Sequence, residues 1–193
     1  MVYAGIDYSL NCPAMCIYDS DDGDFCHQNC RYYFNQNNLS QKEQLLRKSW
    51  DIPNIYPNTQ YQIEDYIPRY TVLADWFISI LVLEGVKVVA MEDYALGAQG
   101  KVFNIAECTY TLKSYMYMLG LEVNRYAPTL VKKYFTGKGN ANKDLMVENY
   151  DLKYNVDIKK ILCKNNTDSP VSDIVDSHAM LYTYFKEKEK NDG

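Results

Sequence analysis

Five carboxylates stand where an apolar pattern should continue. Asp7 ends the short apolar run Val2 to Ile6, Glu92 and Asp93 end the run "VVAM", and Asp173 and Asp176 interrupt the apolar stretch that begins at Val171. A charge left alone in such surroundings is too costly to keep, so each must be solvated, paired or bound to a cation. The i, i+3 spacing of Asp173 and Asp176 puts both on one helical face, where they repel unless solvent or a shared cation separates them. If the two strand ends are neighbours and the helix packs across them, Asp7, Glu92, Asp173 and Asp176 converge at one sheet edge. Oxygen-only ligands of this kind suit Mg²⁺ or Mn²⁺, which prefer octahedral oxygen coordination and keep waters for a phosphate-bearing substrate. Two such ions, roughly 3.5 to 4 Å apart, clamp the attacking and leaving oxygens of a phosphodiester displacement. Strand ends and helix first turns are ordinary places for single acids, so the nuclease reading rests on the constellation.

The elements that must position these groups are legible in outline. "VYAGIDYS", "AMCIYDS" and "DFCHQNCRYYF" read as three short strands joined by tight connections, an antiparallel meander. Residues 35 to 61 read as an excursion from the core, with a short helical candidate "SQKEQLLRKSW" and then Pro53 and Pro57. "IPRYTVLADWFISILVLEG" has apolar residues at helical spacing and stops at Gly85, before a buried strand in "VKVVAMEDY". The second half alternates a helix in "VFNIAECTYTLKSYMYML", a strand in "LEVNRYAP", helices in "TLVKKYF" and "KDLMVENYDLKY", and a last helix after Pro170. A meander followed by such alternation predicts one α/β domain over residues 1 to 193. Its mixed sheet has five strands, antiparallel and then parallel, with helices on both faces.

Composition narrows the class. The chain has 193 residues, 47% of them apolar and 23% charged, which suits a globular domain with a substantial core. Its longest apolar run is broken by Glu84 and Lys87, so no membrane span is expected. No signal peptide is read at the start, and a cytoplasmic protein with reduced cysteines is expected. The net charge of −5 argues against nucleic acid only as an average. Residues 100 to 164 hold eleven Lys and Arg against six Asp and Glu, a local excess of five positive charges, so the remainder carries ten negative ones. The face a phosphate meets matters more than the total.

Four segments, "GIDYSLN", "VVAMEDYALGAQGK", "RYAPTLVKKYFTGKGNANK" and "SDIVDSHAM", resemble in order and spacing the RuvC-type Holliday junction resolvases of the ribonuclease H-like superfamily. The resemblance is closest to their bacteriophage relatives and excludes residues 35 to about 61, an insertion relative to the bacterial enzymes. It implies that Asp7, Glu92, Asp173 and Asp176 are the metal ligands, with Mg²⁺ or Mn²⁺ as cofactor, two ions to a site. It also implies that Lys132 and Lys143 support catalysis and contact the junction backbone, with Lys101, Lys133 and Lys138 adding to the DNA-facing surface. The implied activity is paired cutting of four-way DNA by a homodimer, and the helix "VFNIAECTYTLKSYMYM" supplies much of the dimer contact. Tyr94 stands one position earlier than the aromatic wedge of the bacterial enzymes, with Ala95 in that place. Asp93 is an extra carboxylate, expected in an outer position or facing solvent. Two alternatives share the fold: a nuclease for other branched DNA or RNA–DNA hybrids, and a junction-binding protein without turnover.

Other features yield to blander readings. "GKGNANK" before a helix suits a backbone phosphate but is not a Walker A loop. "GIDYS" also resembles the first phosphate loop of actin-like ATPases, but those need two lobes and this chain has length for one. Cys12, Cys16, Cys26, His27 and Cys30 lie on adjacent strand candidates, yet neither cysteine pair has zinc-knuckle spacing, so buried free thiols are expected. His178 is expected in a structural role.

Overall fold

The first strand sets the architecture. The computed structural model describes residues 1–9, 12–35, 54–58, 65–93 and 102–192. In it β1 (Val2–Asp7) sends Tyr3 into one hydrophobic core and Ala4 and Ile6 into another, on the opposite side of the sheet. A strand buried on both faces must read as a nearly unbroken apolar run. β2 (Ala14–Asp19) and β3 (Cys30–Asn35) follow in antiparallel register, Gly5 opposite Cys16 and Cys16 opposite Tyr32. β5 (Val88–Glu92) lies parallel to β1 on its other side, and β6 (Glu122–Tyr126) lies parallel to β5.

Among the described residues the expected five strands are six. The excursion contributes β4 (Ile55–Asn58), which pairs in parallel with β3 from Tyr32–Ile55 to Asn35–Asn58. The sheet order is β4-β3-β2-β1-β5-β6. Pro57 is compatible with this place because an edge strand has one side that need not donate to a ladder. The remainder of the excursion, its helical candidate, Tyr94 and Lys101 lie outside the described residues.

Helices cover both faces, as expected. On the Ala4 and Ile6 side, α1 (Tyr66–Leu83) buries Tyr70, Leu73, Ala74, Phe77, Ile80 and Leu81, the three- and four-residue spacing of one helical stripe. Gly85, at φ 69°, ends it, and the Val86 amide donates back to the Leu81 carbonyl at 2.9 Å. α2 (Val102–Met118) packs beside α1 through Cys108, Leu112 and Met116. The other face carries α3 (Pro128–Thr136), α4 (Lys143–Tyr154), the single turn α5 (Ile158–Ile161) and α6 (Val171–Asp192). α6 lies on β1, β2 and β5, with α3 and α4 against its outer side. Among the described residues, no helix is long and apolar enough to cross a membrane.

Candidate functional site

Strand alternation puts Asp7 on the same side as Tyr3 and Gly5, the side covered by α6. β1 and β5 run parallel through the pairs Gly5–Ala90 and Ile6–Met91. Asp7 and Glu92 are the next residues along each strand, so their carboxylates stand side by side at the carboxyl ends of two neighbours. Glu92 shares the α6 side because Val88 and Ala90 pack in that core while Val89 and Met91 pack in the other.

Gly5 brings the helix to them. A Cβ at Gly5 would lie 2.1 Å from the Ser177 carbonyl oxygen and 3.0 Å from Leu181 Cγ, so α6 crosses β1 in direct backbone contact. Asp173 and Asp176, in the turn before Ser177, are thereby set over the strand ends. The sequence contains the signal for this, since glycine inside a strand marks a close backbone approach.

The electrostatics describe one shared space. Burial, followed by the charges of Asp176, Asp173 and Glu92, holds the Asp7 carboxyl well above the usual carboxylate range, and only Lys143 opposes this. Burial, then Asp173 and Glu92, pushes Asp176 up to about 7 against the pull of Lys132 and Lys143. Burial also raises Glu92, opposed by Lys132, and Asp173, opposed by a Ser169 hydrogen bond and Lys143. All four carboxylates and both lysines named from the resemblance therefore act on one another.

The donor set fits a hard divalent cation. Asp173 is 7% exposed, and its Oδ2 is buried without a hydrogen-bond partner. A buried carboxylate oxygen of this kind is compensated by a cation or by its own proton. Among the described residues, the carboxylates do not bring three oxygens within 4.8 Å of one another. Oxygens spaced this widely leave coordination positions for water and phosphate.

The remaining expectations fall out separately. Lys143 is the first residue of α4, beside Asn142, whose side chain accepts from the Leu145 amide at 2.9 Å. Lys133 on α3 and Lys138 in the following turn are exposed on the same side of the sheet. Asp93 points away from Glu92 and pairs with Arg125 at 3.4 Å, both exposed, so it faces solvent. Cys12, Cys16, Cys30 and Cys108 are buried and in no disulfide. His27 meets no cysteine cluster and bonds instead to the Tyr150 hydroxyl through Nδ1 at 2.5 Å. His178 is fully buried, between the hydroxyls of Tyr32 and Tyr154.

No protein-family model and no curated protein matches the chain. Solved structures do. Thermus thermophilus RuvC is similar at 16% identity, covering 99% of this chain and 97% of its own, with a TM-score of 0.60. The same enzyme in complex with Holliday junction substrate is similar at 15% identity, covering 98% and 96%, also with a TM-score of 0.60. The yeast mitochondrial Holliday junction resolvase Ydc2 is similar at 14% identity, covering 97% and 80%, with a TM-score of 0.52. The chain has the ribonuclease H-like fold of the RuvC-type resolvases.

Proposed function

We propose that the protein is a metal-dependent, structure-selective DNA endonuclease that resolves four-way junctions by paired phosphodiester hydrolysis in a homodimer. The observation that carries this reading is the convergence of Asp7, Glu92, Asp173 and Asp176, with Lys132 and Lys143 beside them, on a RuvC-type fold. The reading is supported further by the RuvC neighbour, whose structure was solved with a Holliday junction substrate.

Asp7, Glu92, Asp173 and Asp176 would hold Mg²⁺ or Mn²⁺, which when bound supplies an activated water and charge stabilisation at the leaving oxygen. The chain's own groups do the rest. The strand ends fix Asp7 and Glu92, while α6 fixes Asp173 and Asp176, so the ligand geometry is set by rigid elements rather than loops. Lys132 and Lys143 place positive charge beside the phosphate, where charge grows as water attacks phosphorus and the bond to the 3′-oxygen breaks. Lys133 and Lys138 extend this charge along the backbone path, and Lys101, in the basic segment, and Tyr94, beside the family's wedge position, are assigned to the same DNA-facing surface. On α2, Tyr110 and Tyr117 lie seven residues apart on one exposed stripe, 69% and 84% exposed, with Met118 at 70% beside them. That apolar stripe, turned away from α1, is the surface through which the homodimer forms.

The test is a panel of labelled four-way junction, replication fork, linear duplex and RNA–DNA hybrid, each with Mg²⁺, Mn²⁺ or EDTA. Symmetric cutting of the junction only with metal is expected. A junction bound but never cut would make the chain a binding protein, and preferred cutting of the hybrid would make it a different nuclease. Lys132→Glu and Lys143→Glu should weaken junction binding for every sequence and flatten its salt dependence, by about 0.9 in the log–log slope for each phosphate no longer neutralised. Unchanged slopes would place both lysines off the DNA. Tyr117→Arg with Met118→Arg should yield monomers in sedimentation equilibrium and uncouple the paired cuts; a persisting dimer would remove α2 from the interface.

A further inference from the structure

A second constellation lies outside the carboxylate cluster. Cys16 on β2, Cys30 on β3 and His178 on α6 are all fully buried, and one donor atom from each lies within 4.8 Å of the others. Cys16 pairs with Tyr32 and Cys30 with Tyr18, so the two thiols are diagonal neighbours on the face that α6 covers. Cys16 Sγ lies 3.6 Å from His178 Nδ1. Zinc bonds of about 2.3 Å to sulfur and 2.0 to 2.1 Å to nitrogen, at tetrahedral angles, separate two such donors by about 3.5 Å.

The imidazole is prepared for such a bond. Its Nε2 is 2.7 Å from the Tyr154 hydroxyl, leaving Nδ1 to face the thiols and the Tyr32 hydroxyl at 2.9 Å. Phe25 stacks on the ring at 4.4 Å between centroids, and Tyr150 and Tyr154 meet it edge to face. A metal-binding histidine is oriented in this way, by a hydrogen bond at the nitrogen that does not bind. Two thiolates also cancel a double positive charge, so a loaded site would bury no net charge.

We propose that Cys16, Cys30 and His178 form a structural site for a thiolate-binding divalent ion, Zn²⁺ foremost, with the Tyr32 hydroxyl as the fourth donor. On binding, the two S–H groups release their protons to solvent, and four metal–ligand bonds tie β2, β3 and α6 together. His178 is two residues beyond Asp176, so the same bonds hold the helix that carries half of the carboxylate cluster. The sulfur and nitrogen donors select against Mg²⁺, so the two sites take different ions. This site stands on its own residues and does not depend on the nuclease reading.

The test is metal analysis of the full-length protein purified under reducing conditions without chelator. Stoichiometric zinc that survives an EDTA wash is expected. Exchange with Co²⁺ should produce a thiolate-to-cobalt charge-transfer band and intense tetrahedral visible bands, which oxygen ligands of the carboxylate cluster cannot give. Tyr154→Phe should weaken the metal affinity by about 10- to 100-fold, while Cys163→Ser, at an exposed thiol, should leave it unchanged. Protein free of zinc with only weak octahedral cobalt bands would overturn the proposal. So would a mass lowered by a Cys16–Cys30 disulfide in the protein as isolated. All of these readouts are independent of cutting, so they distinguish failure here from failure of the nuclease reading.

Discussion

Asp7→Asn is expected to lower junction cutting by about a thousandfold or more while junction binding is kept or tightened. Asp7 is the residue on which the other three carboxylates act, and its neighbours hold its proton affinity well above the ordinary carboxylate range. Exchange of one oxygen for an amide nitrogen keeps the shape and takes the charge and one donor oxygen from a proposed metal ligand, an effect of several kcal/mol on the barrier at about 1.4 kcal/mol for each factor of ten. The same change removes a negative charge from a crowded cluster, which relieves repulsion within the fold and towards the DNA phosphate. Melting temperature should therefore stay the same or rise. Single-turnover cutting, gel-shift binding and thermal unfolding of the one variant measure all three. Near-normal cutting in Mg²⁺ would remove Asp7 from the metal site, and abolished binding with normal cutting would reverse its role.

Gly5→Ala should impair both stability and cutting, although Gly5 carries no chemistry. The added methyl would meet the Ser177 carbonyl oxygen at 2.1 Å, against ordinary contact beginning at 3.4 Å. That obstacle is helix backbone and cannot rotate away, so α6 must retreat from β1 by more than an ångström. Overpacking of this kind costs about 1 to 3 kcal/mol, and a displacement of about 1 Å in a reacting geometry costs on the order of 10²-fold in rate. Because Asp173 and Asp176 ride on α6 while Asp7 and Glu92 stay with the sheet, the loss should appear as weaker Mg²⁺ activation as well as a lower melting temperature. A variant with wild-type melting and metal response would show that α6 needs no such close approach.

The elements that place the site are largely readable because each is signalled locally. α1 carries its buried stripe at helical spacing, β1 and β5 are apolar runs buried on both faces, and Asp173 and Asp176 declare a common helical face by their spacing alone. β4 is not readable: four residues with a proline, inside an Asn-rich stretch, form a strand only because β3 offers an unpaired edge. The cysteine cluster shows the same limit. His27, adjacent in sequence to Cys26, is the histidine that proximity in the chain groups with the thiols, yet the one that meets them is His178, 162 positions from Cys16.

By itself the sequence determined which residues carry charge into the apolar interior, and which of them share a strand face or a helix face. Periodicity is a local property of the backbone, and it can be read from one chain. Only the tertiary structure decided that Asp7 stands beside Glu92 and beneath Asp173 and Asp176. That meeting depends on parallel pairing of β1 with β5 and on the bare backbone of Gly5, which lets α6 settle against the strand. Such contacts join segments far apart in the chain, and their energy comes from packing that no local pattern encodes.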